Sequence, residues 1–188
     1  MNEIEIRHTF ELLKQDNEVI EVRVIKGKYT SSGYFKNIDN LLKEVKRYDA
    51  VSNVYFVLNT IDDACYSREQ CERLVDNVKN STSDNDIINR DWLLIDVDPK
   101  RATGVSASND EKESSKETIN RIYSFLRDFG FSEPIVADSG NGFHLLYKIN
   151  CENNNENKET LQKVLQVLDM YFSNEICEID KSVFNAAR

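Results

Sequence analysis

DWLLIDVDPKR, residues 91–101, is the stretch that decides the fold of this chain. Its apolar run is too short for a buried helix and is bounded by Pro99, which indicates a strand of a sheet. Successive side chains of a strand point to opposite faces, so Asp96 and Asp98 should share one face. The residues predicted for the other face are Leu93, Ile95 and Val97.

The two carboxylates would lie roughly 6 to 7 Å apart along the strand. Like charges at that distance, beside apolar residues, repel each other unless a cation lies between them. A divalent cation that prefers oxygen ligands, Mg²⁺ or Mn²⁺, suits Asp96 and Asp98. The alternative is a solvated strand end with two unrelated acids.

From residue 91 onward the pattern predicts the order βαββαβ. The predicted strands are 92–98, 134–138, 142–149 and 176–180, and the predicted helices are 113–129 and 158–173. With right-handed crossovers this order gives a ferredoxin-like sheet, in which the first strand lies between the third and the fourth. That topology would bring His144 and Asp180 beside Asp96 and Asp98.

Residues 1–86 predict a smaller α/β lobe, which ends in the polar connector 80–86. Its predicted parts are a helix in 3–15, a strand at 18–25, a turn at 27–35, a helix capped by Asn37 or Asp39, a strand at 53–59 and a helix at 67–79. The predicted fold class is therefore α/β (α+β): an N-terminal α/β lobe packed on a ferredoxin/RRM-like βαββαβ catalytic lobe.

Composition limits the classes of function. The chain has 188 residues and a net charge of −9, which argues against a general polyanion binder. A local basic segment covers residues 21–47, which is either a binding face or ordinary solvated surface. No apolar run approaches the length of a membrane helix and the N-terminus lacks a signal core, so we expect a cytoplasmic protein. The four cysteines form no CxxC pair, which indicates neither zinc nor a disulfide framework.

DSGNGFHLLY, residues 138–147, is the second informative stretch. Its glycines let backbone N–H groups approach an oxyanion, and its polar side chains add donors, so a phosphate cradle is one interpretation. A hairpin turn is the other. The residues concerned are Ser139, Gly140, Asn141 and Gly142. His144 follows in the next strand, and because His8 is the only other histidine, a histidine-rich metal centre is not expected.

EICEIDKSVFNAAR, residues 175–188, is the third stretch. A short strand leads to Asp180, a third acid for the same site. Lys181 and Arg188 would offset phosphate charge. Three carboxylates, a glycine turn and a histidine on neighbouring strands resemble a two-metal nucleotidyl-transfer site.

These three stretches also resemble, in this order, the motifs of the archaeo-eukaryotic primase superfamily. The likeness is to the primase-polymerase domains of phages, plasmids and other mobile elements. It extends upstream through EVR at 21–23, SGYF at 32–35, VYFVLN at 54–59 and TSDNDI at 82–87.

The resemblance implies a role for each site residue. Two Mg²⁺ or Mn²⁺ ions would be held by Asp96, Asp98 and Asp180; one would activate the primer 3′-hydroxyl and the other would bridge the incoming triphosphate. Ser139 and His144 would contact the triphosphate, and Gly140, Asn141 and Gly142 would shape its pocket. The implied partners are NTP or dNTP substrates and a single-stranded DNA template, with a first nucleotide replacing the primer in primer-free synthesis.

The resemblance implies one primase-polymerase catalytic domain over residues 1–188, with lobes 1–86 and 87–188. It would be a minimal form or the N-terminal part of a longer replication protein, with a helicase or helical primase domain downstream, in a prokaryotic or phage-infected cell. Two alternatives stay open. One is a nucleotide- or single-stranded-DNA-binding module without turnover by itself. The other is a two-metal nuclease, which leaves the SGNGFH stretch without a purpose.

Overall fold

The computed structural model describes residues 1–102 and 104–188, which form two compact units of mixed α/β structure. One unit comprises residues 1–89 with 187–188, and the other comprises residues 90–186. The predicted boundary, after residue 86, lies three residues before the observed one. The prediction also placed residues 187–188 in the second lobe, whereas they belong to the first unit. They belong there because Asp84 accepts a hydrogen bond from the Ala187 N–H and the Arg188 carbonyl accepts one from the Leu58 N–H.

The first unit contains a three-stranded antiparallel sheet in the order β2-β1-β3. Its elements are α1 (Glu3–Leu13), β1 (Ile20–Lys26), β2 (Tyr29–Phe35), α2 (Ile38–Val45), β3 (Val54–Phe56) and β4 (Thr60–Ile61). Asn37 caps α2, as one of the two predicted alternatives requires, by accepting from the Asp39 and Asn40 N–H groups. Val22 and Val24 of β1 are buried against Leu41 of α2 in the core.

Two predictions for this unit are wrong. The stretch 27–35 is mostly strand β2 rather than a turn, and 67–79 is not a helix. The backbone of 67–79 instead hydrogen-bonds to β2, where Ser32 and Val75 exchange N–H···O bonds of 3.0 and 2.9 Å. Gly33 permits this approach, since a Cβ there would lie 2.2 Å from the Arg73 carbonyl oxygen.

The second unit has the predicted element order. Its elements are β5 (Ile87–Pro99, which begins in the first unit), α3 (Asn109–Asp128), β6 (Ile135–Asp138), β7 (Phe143–Glu152), α4 (Asn155–Phe172) and β8 (Cys177–Ile179). β5 lies between β7 and β8, and β6 forms the far edge beyond β7. The first strand of the pattern thus lies between the third and the fourth, as a ferredoxin-like sheet requires.

The two long helices begin earlier than predicted because polar residues cap them. Ser108 and Glu111 form a capping box at α3, and Asn154 accepts from the Asn157 N–H at α4. Ile122 of α3 and Leu165 of α4 are fully buried in the core that also contains the inner side chains of β5. No described helix is both long and apolar enough to cross a membrane.

Candidate functional site

The alternation predicted for β5 is present. Ile95 and Val97 are fully buried in the helix-side core, whereas Asp96 and Asp98 lie on the opposite face and are partly exposed. One oxygen of each acid, Oδ1, is nevertheless buried and has no hydrogen-bond partner among the described residues. Buried acceptors are rarely left in this state, because the lost hydration is not replaced. The pair is therefore a candidate cation site.

His144 of β7 lies beside this pair. Its Nε2 is 3.2 Å from Asp96 Oδ1, which is an ion-pair distance, although the N–H is not aligned for a good hydrogen bond. Burial lowers the pKa of His144, but the interactions with Asp96 and Asp98 outweigh it, so the pKa lies above its ordinary value. The carboxylates therefore favour the imidazolium form of His144.

The pKa of Asp98 is raised. Burial is the larger cause and the charge of Asp96 the next, while Arg101 and His144 act in the opposite direction. Arg101 was not a sequence candidate, although it is the first arginine after the strand. Its guanidinium donates to the Val105 carbonyl at 2.7 Å and to the carbonyl of Pro99 at 3.2 Å, which holds its charge near the acids.

Asp180, which follows β8, is bonded through its backbone to the acid-bearing strand β5. Its N–H donates to the Asp96 carbonyl at 3.0 Å, which continues the register in which Val97 faces Ile179. Its side chain accepts from the Ser182 N–H at 2.8 Å and caps the short turn after β8. Among the described residues, no three His, Cys, Asp or Glu side chains form a preassembled metal site. The role of Asp180 as a metal ligand stays a prediction.

The SGNG turn joins β6 to β7 and uses its own hydrogen-bonding groups. Ser139 Oγ accepts from the Gly142 N–H at 2.9 Å, and the Gly140 N–H donates to Asp138 at 2.7 Å. Gly140 has a φ of +93°, a conformation that favours glycine. Asn141 Oδ1 accepts from the Ala107 N–H, which ties the turn to the segment before α3. These contacts account for the stretch as a hairpin turn and leave phosphate binding as a prediction.

The absence of a side chain at Gly142 also allows the turn to pack against β5, which the sequence did not indicate. A Cβ at this position would lie 2.1 Å from the Val97 carbonyl oxygen and 2.5 Å from Asp98 Oδ1. The sequence predicted that this glycine lets the backbone approach an oxyanion. In the structure the glycine lies close to β5, the strand that carries the acids. It places the turn directly against the Asp98 carboxylate.

Lys181 pairs with an acid outside the candidate site, and phosphate contact by Arg188 stays a prediction. Lys181 forms an ion pair with Asp169 of α4, and Arg188 belongs to the first unit. Lys112, which the sequence reasoning missed, is the cation beside the glycine turn: its Nζ lies 2.8 Å from Asp138 Oδ2 and 5.6 Å from the centroid of the Phe143 ring. In the sequence, only the position of Lys112 in the first turns of α3 indicated that it could lie beside the glycine turn.

The donor set fits Mg²⁺ or Mn²⁺. Both ions prefer carboxylate oxygens, and Asp96 and Asp98 present two buried oxygens that accept no hydrogen bond from the described residues. A bound cation would also relieve the repulsion that helps to raise the pKa of Asp98.

Comparison of the chain with protein-family models, curated proteins and solved structures found no match. The resemblance to primases therefore rests on the three motifs and their order.

Proposed function

We propose that residues 90–186 contain a metal-dependent nucleotidyl-transfer centre of the primase-polymerase type. The observation that carries the proposal is the pair of buried Oδ1 atoms of Asp96 and Asp98, on the face of β5 opposite the helices, neither of which accepts a hydrogen bond from the described residues. His144 and the glycine turn adjoin that pair, in the order of motifs that the resemblance to primases requires.

In this proposal Asp96, Asp98 and Asp180 hold Mg²⁺ or Mn²⁺. When bound, the ions lower the barrier to attack by a 3′-hydroxyl on the α-phosphate and offset the charge of the leaving pyrophosphate. Ser139 and His144 contact the triphosphate, and Asp96 keeps the imidazole oriented and charged for that contact. Gly142 keeps the turn against Asp98, so that both parts of the pocket have a fixed separation.

The proposed partners are NTP or dNTP substrates and a single-stranded DNA template, in the cytoplasm of a prokaryotic or phage-infected cell. A net charge of −9 predicts weak, salt-sensitive template binding. A helicase or helical primase domain in the same replication protein would supply further DNA affinity.

The test is incorporation of labelled nucleotide on single-stranded DNA, with and without primer, in Mg²⁺ and in Mn²⁺. The parent protein is compared with Asp96→Ala/Asp98→Ala and with Asp128→Ala, an exposed acid at the end of α3. Products that disappear only in the double variant support a polymerase, and primer-free products support a primase. Absence of product from the parent protein contradicts polymerase activity in this chain, and degradation of DNA without nucleotides indicates a nuclease.

A second candidate is a nucleotide- or single-stranded-DNA-binding module without turnover. Two residues predicted for the catalytic site already have other partners in the structure, which favours this candidate. Asp180 caps its own turn, and Lys181 is paired with Asp169. Triphosphate binding that depends on His144, without product in either metal, would support this candidate.

A further inference from the structure

The strand β3 forms one edge of the sheet in the first unit. The Val57 N–H donates to the Glu21 carbonyl at 3.1 Å, and hydrogen-bonded pairs alternate along two antiparallel strands. Tyr55 therefore directs its backbone groups toward β1, whereas the N–H and C=O groups of Val54 and Phe56 point away from β1. These outward groups form the free edge of the sheet.

The outer side of β3 is accessible. Among the described residues, none forms a backbone hydrogen bond with the outward groups of Val54 and Phe56. Val54 is 42% exposed and Tyr55 is 48% exposed. The opposite edge, β2, is covered by the segment whose Val75 pairs with Ser32. Unpaired backbone groups at a sheet edge are a template for pairing with a further strand.

A cavity of about 500 Å³ adjoins this edge, between α1, α2 and β3. Its wall is largely apolar and aromatic: it includes Phe10, Tyr48 and Phe56, and the rings of Phe10 and Phe56 lie 5.0 Å apart. Val54 also lines it. The volume is within the range of ligand pockets in proteins, so the cavity has room for apolar side chains of a ligand.

The edge and the cavity suit the same extended ligand. In a strand added antiparallel to β3, the residues directly opposite Val54 and Phe56 exchange backbone hydrogen bonds with them. Opposed residues share a face of the sheet, so the side chains of those ligand residues point to the face on which Val54 and Phe56 line the cavity. Strand addition uses this combination of backbone bonds for affinity and pockets for alternate side chains.

The charges around the cavity favour a basic ligand. Its lining includes the acids Glu5 and Asp49, and none of the described residues that line it is Lys or Arg. Asp49 is paired with the Met1 ammonium at 2.7 Å. The Glu5 carboxylate accepts a hydrogen bond from the neutral Asn2 side chain at 3.1 Å. A cation on the ligand would complement Glu5.

We infer that the β3 edge and its cavity are a docking site for an extended peptide of a partner protein. The peptide has two apolar side chains at alternate positions, which enter the cavity, and a flanking Lys or Arg. This inference goes beyond the proposed function and is independent of it, because every residue involved belongs to the first unit and none to the candidate metal site.

The test measures binding of fluorescein-labelled synthetic peptides by fluorescence anisotropy. The probes are three peptides of the form Lys-Thr-Z-Thr-Z-Thr-Lys, in which Z is Val, Leu or Phe. We expect at least one of them to bind, and N-methylation of both Z amides to weaken it at least about tenfold, because the donors to β3 are lost. N-methylation of two Thr amides, which face away from β3, is the matched control and should leave binding unchanged.

Variants of the chain test the two halves of the site separately. Val54→Pro removes an outward donor, and Thr9→Phe fills the cavity, so each should weaken peptide binding at least about tenfold. His8→Phe is the control for Thr9→Phe, because His8 is exposed and does not line the cavity. Glu5→Gln should weaken binding about two- to fivefold, whereas Glu11→Gln, outside the cavity, should not change it.

Amide hydrogen exchange locates the bound peptide. Exchange at Val54 and Phe56 should slow when the peptide binds, since their N–H groups become hydrogen-bonded.

Three outcomes would overturn the inference. The first is the absence of binding by all three peptides. The second is binding that N-methylation of the Z amides does not weaken, which indicates a cavity for small apolar molecules. The third is a dimer of the parent chain in sedimentation that Val54→Pro dissociates, which indicates that a second copy occupies the edge. Asp96→Ala/Asp98→Ala should bind the peptide like the parent chain, so a failure of the proposed function leaves this result unaffected.

Discussion

His144 Nε2 lies 3.2 Å from Asp96 Oδ1, so that a histidine of β7 and an acid of β5 form an ion pair on the face of the sheet opposite the helices. The Asp96 side chain is 16% exposed and that of His144 is 29% exposed, so water screens the pair only partly. This pair links the two stretches of sequence that carry most of the proposed chemistry.

The pair predicts a pH-dependent contribution to stability. Because the pKa of His144 is raised in the folded protein, folding favours its protonated form. The resulting stabilisation is fully present below the ordinary pKa of about 6.5 and is lost as the pH rises through the higher folded value. Replacing His144 by Gln should remove this component of the pH dependence.

The measurement is the free energy of unfolding in urea, in EDTA, between about pH 6 and 9. His8→Gln is the control, because His8 is exposed on α1. The stability advantage of the parent chain over His144→Gln should shrink with rising pH, whereas His8→Gln should follow the parent chain. Parallel curves for all three proteins would contradict the ion pair.

Asp98→Asn should separate stability from activity. Since the pKa of Asp98 is raised, its ionised form at neutral pH costs folding free energy, and this cost disappears in the variant. The Tm in EDTA should therefore stay equal or rise, while the proposed nucleotide incorporation should fall by at least about a hundredfold through loss of the proposed metal ligand. Asp128→Asn, at an exposed position, should change neither quantity. A large loss of Tm in Asp98→Asn would mean that the carboxylate is structural.

Gly142→Ala should disturb the acids through the backbone. The new Cβ would collide with the Val97 carbonyl oxygen and with Asp98 Oδ1, so we expect a loss of about 1 to 3 kcal/mol together with weaker Mn²⁺ binding. Gly140→Ala is the control: its φ of +93° makes alanine cost about 1 to 2 kcal/mol, but its Cβ meets open space. Urea unfolding and Mn²⁺ titration distinguish the two, since only Gly142→Ala should affect the metal. Equal Mn²⁺ affinities would show that the turn does not set the position of Asp98.

Arg23→Ala should strongly destabilise the first unit. Glu21 is fully buried, and Arg23 binds it with two hydrogen bonds of 2.9 and 2.7 Å. Removing the guanidinium leaves the buried Glu21 carboxylate with its hydrogen bonds from Ser32 and Thr82 but without its counter-charge, which costs about 3 to 5 kcal/mol. Arg7→Ala breaks the exposed pair with Asp39 and should cost at most about 1 kcal/mol. Similar urea midpoints for both variants would contradict this account.

The second unit was largely predictable because its signals are local. The apolar alternation of β5 predicted its inner and outer faces, and the stripes of α3 and α4 predicted the helix layer. Lys112 and Arg101 had almost none, since their positions depend on how the ends of α3 and β5 meet the turn and the acids.

The first unit shows where local signals fail. The apolar spacing in residues 67–79 is compatible with a helix, yet Val75 pairs with Ser32 and the segment lies against Gly33. A strand edge offered hydrogen bonds to this segment, and local periodicity carries no information about that edge.

By itself, therefore, the sequence determined which side chains are apolar, which strand presents the acids and where glycine permits a sharp turn, because these properties depend on neighbours within a few residues. Only the tertiary structure decided that Gly142 touches Asp98, that Lys112 pairs with Asp138 and that Lys181 pairs with Asp169. Those contacts join residues distant in the chain, and strand order, register and close packing select them rather than any local preference.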